Sequence, residues 1–330
     1  MTNGFGRGVI VVAAAVVVIV GMRLVAEVVT PFVIGGFVTL LLLPLHDALV
    51  RSGRSRALAV SAATAAYLGV LVIVALIALQ SFGELQAIAP TYQAAIDGAR
   101  AEAEQSLGDV LGQAVAAFLD ALQTDALLPS GGVLLDLAIG LGISALVVVY
   151  ALADAPGLAS RAERTAPTGF RAGWTRFAQG IQLYFGARAV LGLAFALAVG
   201  VVLILVGVDL VLLWVLVAFF FSFIPNVGFL FSVLGPALMA LIDQGLGPAL
   251  LVVVGYSVAN VIIDYVIQPR FMSRELDLSP LVVFVSLFVW AAILGPAGAI
   301  LALPLTVGLK ILFDAFPSTA SLGALLGAGR

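Results

Sequence analysis

Of the 330 residues, 63% are hydrophobic and 10% charged, with a formal net charge of -3 and a mean hydropathy of +1.22. Soluble domains carry about a quarter of their residues as charges, so this composition excludes one and marks an integral membrane protein. Cysteine is absent, which removes disulfides, thiolate metal sites and cysteine nucleophiles, and no basic run points to nucleic acid.

Eight apolar segments are candidate membrane spans, and most are long enough to cross ~30 Å of hydrocarbon: 8–22, 28–50, 57–79, 133–152, 181–207, 210–241, 246–267 and 281–313. No small-residue cleavage site follows the first, so it reads as a retained span rather than a signal peptide. Arg23 and Glu27, one helical turn apart, read as a local ion pair before the second span. The only histidine, His46, follows Pro44 at a membrane edge and cannot build a multi-histidine metal site alone. Arg51, Arg54 and Arg56 place the next loop on the cytoplasmic side.

Residues 80–132 carry seven acids (Glu84, Asp97, Glu102, Glu104, Asp109, Asp120 and Asp125) against the single base Arg100. Leu85, Ile88, Tyr92 and Ile96, and then Leu107, Leu111, Val115, Phe118 and Leu122, recur at helical spacing. That pattern predicts two amphipathic helices outside the membrane, as a cap, a subunit contact or a surface hairpin. Asp154-Ala155-Pro156 reads as the stop of the fourth span, and the Arg161 to Arg176 loop that follows is cytoplasmic. Both termini then face the cytoplasm. Arg188 falls near the start of the fifth segment, where snorkelling to the interface is the simple expectation; contact with an anionic solute or with Asp264 is the other.

Segments 210–241 and 281–313 are too long for single crossings at ~1.5 Å per residue. Phe223-Ile224-Pro225-Asn226-Val227-Gly228 interrupts the first and Leu294-Gly295-Pro296-Ala297-Gly298 the second. Irregular backbone at membrane depth survives only where protein or water satisfies it, and a matched pair of Gly/Pro-broken segments points to a transporter's binding site. Read as re-entrant hairpins, they leave Asp209 and Asp243 outside and Arg270, Arg274 and Lys310 inside, in keeping with the positive-inside rule. Between them, Asn260, Asp264 and Gln268 stand four residues apart in an otherwise apolar helix that stops at Pro269-Arg270. A carboxylate in such a helix marks an ion, proton or solute path, or else pairs with an arginine to hold helices together. Asp264 is thus a candidate for proton exchange or for a Na+ ligand, and the two amides offer donors and acceptors to a polyhydroxylated solute. Asn226 either lines the same site or satisfies backbone groups freed by Pro225. Gly228, Gly295 and Gly298 are expected to permit close backbone approach.

From about Phe177 to Phe313 the chain resembles the autoinducer-2 exporter (AI-2E) family of bacterial inner-membrane proteins. The resemblance rests on Ile224-Pro225-Asn226-Val227-Gly228, Asn260 with Asp264-Tyr265, Gln268-Pro269-Arg270, Leu278-Ser279-Pro280, Gly295-Pro296-Ala297-Gly298 and Leu303-Pro304. Pro31-Phe32 and Pro44-Leu45 resemble the family's first third, whereas Ala187-Arg188 stands where a glutamine is common. The resemblance implies a multi-pass inner-membrane transporter, commonly a homo-oligomer. Family members are described as exporters of a small furanone signal or as sodium(lithium)/proton antiporters.

The expected architecture is all-α and polytopic. It comprises N-terminal membrane helices (1–79), an extracytoplasmic insertion (80–132), a further crossing (133–153), a cytoplasmic Arg-rich loop (154–180), a transport core (181–316) and a tail (317–330). Solute would bind among Asn226, Asn260, Asp264 and Gln268, with Na+ or H+ as coupling partner and no cofactor. A passive channel and a membrane scaffold are the remaining alternatives. Neither G-x-x-x-x-G-K-[ST] nor H-E-x-x-H occurs, and Lys310 is the only lysine, so neither ATP hydrolysis nor zinc proteolysis is expected of this chain.

Overall fold

The computed structural model describes residues 17, 19–106, 131–165, 168–224, 227–271, 278–316 and 319–327, and among them every regular element is helical. In order these are α1 (Ala26–Arg51), α2 (Arg56–Ser106), α3 (Gly131–Thr165), α4 (Thr168–Val206), α5 (Val211–Phe221), α6 (Gly228–Gln244) and α7 (Leu246–Asn260). A π-helical stretch (Val261–Ile267), α8 (Gln268–Phe271), α9 (Pro280–Asp314) and α10 (Ala320–Leu326) complete the series. Among the described residues, six helical stretches are long and apolar enough to cross a membrane, and α5 and α6 are shorter apolar helices. The chain is an all-α polytopic membrane protein. Ten of the fifteen residues of the first expected span lie outside the described residues, as do the second amphipathic stretch from Leu107, Arg274 and the Pro225-Asn226 pair.

Three local expectations fail. The first amphipathic stretch is not a separate helix: α2 runs unbroken for 51 residues, through the switch from apolar to polar sequence and through Pro90. A change in polarity does not end a helix, because its backbone bonds continue regardless of which solvent the side chains meet. Likewise α3 passes Pro156 and continues to Thr165, with Arg161 bonded to Asp154 across the two turns that follow. One proline removes one i→i-4 bond, and the rest of the ladder holds. Finally, Arg23 and Glu27 form no ion pair; Val25 between them leaves helical geometry (φ -105°, ψ 9°), so the one-turn spacing is lost.

The chain forms two compact units, one of Met1–Gly69, Ala138–Gly186 and Arg274–Arg330, the other of Val70–Leu137 and Ala187–Ser273. In the first, Gly35 lets α1 approach the Ser144 carbonyl and Val147 of α3 at distances a side chain would obstruct. Tyr67 and Ser144 share a buried hydrogen bond of 2.7 Å between α2 and α3. Pro44 offers no N–H to the Leu40 carbonyl four residues back, and Gln182 Nε2 donates to that carbonyl instead, at 2.9 Å. His46 is buried, with its ring nitrogen 3.0 Å from Asp47.

Helix α9 doubles back on itself. Trp290 Nε1 donates to Thr306 Oγ1 at 3.0 Å, although sixteen residues along a straight helix span about 24 Å. The fold-back occurs at Gly295, whose φ of 66° and ψ of -151° break the helix. Both ends return to α10: the Ser279 N–H donates to the Leu326 carbonyl at 3.1 Å, and Thr319 Oγ1 to the Phe313 carbonyl at 2.9 Å.

In the second unit α5 and α6 form the other hairpin. Gly228 sits against the Phe221 carbonyl and Gly235 against the Trp214 ring, so paired residues move apart symmetrically from the turn, as in an antiparallel pair. Gln244 Nε2 then donates to the Gly207 carbonyl at 2.9 Å, closing the open end. Asp209 and Asp243 therefore lie at one end, as a hairpin requires. Beyond the membrane-spanning part of α2, buried Tyr92 donates its hydroxyl to Asp209 at 3.2 Å; burial first, then the Asp209 carboxylate, hold its phenol above the usual tyrosine range. Leu191, Phe195, Val199 and Leu203 of α4, four residues apart, pack with Val252, Tyr256 and Ala259 of α7 to make the core.

Candidate functional site

Beside that core the second unit holds a half-open cavity of about 670 Å³. One wall is α4 (Arg188, Leu191, Gly192, Phe195), a second is the hairpin tip (Ser222, Ile224, Phe229, Leu230), and the third runs from Ser257 through Asn260 and Asp264 to Gln268. The third wall is not plain α-helix. Across Val261–Ile267 it is π-helical, and the Gln268 N–H reaches the Ile263 carbonyl five residues back. Pro269 supplies a cause: its ring crowds the carbonyl four residues earlier and it brings no N–H of its own, so the ladder loosens just before it.

Asp264 sits in the middle of this stretch with both carboxylate oxygens engaged. Arg188 donates Nη1 to one at 3.2 Å, and Asn260 donates Nδ2 to the other at 2.9 Å. The carboxylate can only accept, so the Asn260 amide must present its NH2 group. Arg188 keeps 9% of its side chain exposed and Asp264 34%, so the acid remains open to the cavity while the cation is packed behind it. The Arg188 Nε and the Gln268 Oε1 are buried without a hydrogen-bond partner among the described residues. Ser222 and Ser257 also line the cavity, each donating its hydroxyl to its own helix, at 2.6 and 2.7 Å.

Asn260, Asp264, Gln268 and Arg188 thus converge on one space. The snorkelling expectation for Arg188 is wrong. The Arg188 side chain is buried and its guanidinium meets Asp264, the other of the two expectations, because a buried cation needs a counter-charge. Asp264 is correspondingly not a lone acid. Gly228 lines no wall of the cavity but sits on the Phe221 carbonyl, where any side chain would collide; Ile224 on the cavity wall immediately precedes Pro225 and Asn226. Gly295 and Gly298 belong to the other unit, where Gly298 abuts the Trp290 carbonyl in the same fashion. Sequence reasoning missed Ser222, Ser257 and Phe195. The spacing of Ser257 to Asn260 carried a usable signal, and Phe195 carried none beyond its apolar period.

A family model for AI-2E family transporters matches residues 10–318. The chain belongs to the AI-2E transporter family. Among its relatives, the AI-2 transport protein TqsA of Escherichia coli (strain K12) is 29% identical over 330 residues, covering 96% of this chain and 94% of that protein. YhhT of the same strain, named as a candidate transport protein, is 26% identical over 331 residues, covering 96% and 93%. A candidate transport protein of Haemophilus influenzae is 26% identical over 348 residues, covering 96% and 94%. With its apolar helices, this AI-2E family member is a multi-pass inner-membrane protein of a transporter family.

Proposed function

We propose that this AI-2E family protein exports a small polar solute of the autoinducer-2 kind, a polyhydroxylated furanone, through the cavity of its second unit and under an ion gradient. The observation that carries the reading is the Arg188–Asp264–Asn260 network on a cavity of about 670 Å³. Cavities of roughly 300–1,000 Å³ with a few convergent polar groups suit small ligands. Hydroxyl groups need donors and acceptors together, and Asn260, Gln268, Arg188 and Asp264 supply both. Because Arg188 neutralises Asp264, the resting cavity suits an uncharged solute. Coupling then follows from exchange of partners: a proton or Na+ on Asp264 frees the Arg188 donors for solute. The relation to a protein named for AI-2 transport supports the solute class. Function as a homo-oligomer in the bilayer belongs to the same reading.

The test is flux of autoinducer-2 and of Na+ in proteoliposomes under imposed pH and Na+ gradients, with Asp264→Asn as control. Saturable, gradient-dependent autoinducer-2 flux that falls roughly tenfold or more in Asp264→Asn is expected. Cation-for-proton exchange without solute flux would establish antiport instead. Flux that neither saturates nor follows a gradient would make the protein a channel, and no flux in any arm would favour a scaffold.

A further inference from the structure

We infer that the Tyr256 hydroxyl is a second contact point for the hydroxyl groups of the transported solute, deeper than the cavity and gated by the ring of Phe195. The inference rests on the transport reading of the cavity and extends it. Tyr256 is completely buried, and its hydroxyl has no hydrogen-bond partner among the described residues. It belongs to the apolar core of the second unit, together with Val199, Leu203 and Val252. Phenylalanine would fill the same space without removing a hydroxyl from water, so the hydroxyl is a net penalty in this conformation. Such a group is explained if it gains a partner in another state of the transport cycle.

Position supplies the second argument. Tyr256 lies one α-helical turn before Asn260 and on the same face of α7, so it heads the row that continues through Asn260, Asp264 and Gln268. One ring touches both Tyr256 and the cavity. Phe195 lines the cavity and also packs edge-on against Tyr256, with centroids 6.0 Å apart and planes at 89°. Displacing that ring extends the polar row by one step, toward the interior of the unit.

The absence of native cysteine makes the test clean. Asn260→Cys and Tyr256→Cys variants in proteoliposomes are treated with a small, water-soluble methanethiosulfonate reagent, with and without an imposed pH or Na+ gradient. Asn260→Cys is expected to react in all conditions. Tyr256→Cys is expected to react roughly tenfold faster under a gradient than at rest, as access opens past Phe195. Reaction at Asn260→Cys with none at Tyr256→Cys under every gradient overturns the inference and leaves the cavity intact. Silence at both sites defeats the cavity reading and this inference with it. A second variant, Tyr256→Phe, removes the hydroxyl while preserving the packing. Its melting temperature should equal or exceed that of the wild type, while maximal autoinducer-2 flux falls roughly tenfold and half-saturation stays unchanged. Wild-type flux in Tyr256→Phe would show the hydroxyl to be a bystander.

Discussion

Asp264 has both oxygens occupied, by a guanidinium from α4 and by an amide one turn away, yet a third of its side chain faces the cavity. A buried cation and a partly exposed acid paired in this way depend on each other. Arg188→Gln leaves an acid without its cation, and Asp264→Asn leaves a buried cation without its acid; each single change should lower thermal stability. Losing both together should cost less than the sum, with a coupling energy of about 1–3 kcal/mol. A double-mutant cycle by thermal or denaturant unfolding in nanodiscs measures this, and additive single effects would show that the pair contributes nothing to the fold. The same pair shows what a linear reading leaves undecided. Arg188 and Asp264 were each visible as charges in apolar sequence and their contact was one of two readings of Arg188, but choosing between them needs the packing of α4 against the Asp264 segment, which no local signal carries.

At the scale of elements, the two hairpins solve one steric problem in two ways. Each has a glycine pressed against a carbonyl oxygen from the preceding helix, Gly228 on Phe221 and Gly298 on Trp290. Among the described residues, the second also requires a backbone conformation that other residues avoid, at Gly295. Gly295→Ala should therefore destabilise the protein by about 1–3 kcal/mol through backbone strain alone, since a side chain there meets open space. Gly36→Ala is the matched control, because it is helical and equally open, and it should leave stability unchanged or slightly raised. Equal melting temperatures for the two variants would mean that the turn at Gly295 relaxes freely. These breaks were legible in sequence because proline and glycine act locally. The extent of α2 and α3 was not, because neither Pro90 nor Pro156 outweighs the continuing ladder around it.

For the whole molecule, fold-back at both broken segments decides on which side of a membrane each pair of ends emerges. Single cysteines at Asp209 and Asp243 should react with an impermeant thiol reagent from one face, and those at Ser279 and Phe316 should likewise agree with each other. Labelling of either pair from opposite faces would turn that hairpin into a crossing. An all-α membrane architecture was readable directly, because sustained apolar runs leave no alternative for backbone in hydrocarbon. The cavity was readable only as a row of polar residues. Its other walls come from α4 and from the hairpin tip, whose apolar side chains look the same in sequence whether they face lipid, core or solute.

The π-helical stretch gives this molecule a rotary option. An i→i+5 ladder holds one residue more per loop than the i→i+4 ladder on either side of it. Rewinding that surplus residue would turn the segment beyond it by about 100°, one residue's share of a 3.6-residue turn. Arg188, anchored on a separate helix, would not follow. The carboxylate could thus change its companion by a twist of its own backbone, with no helix sliding along another.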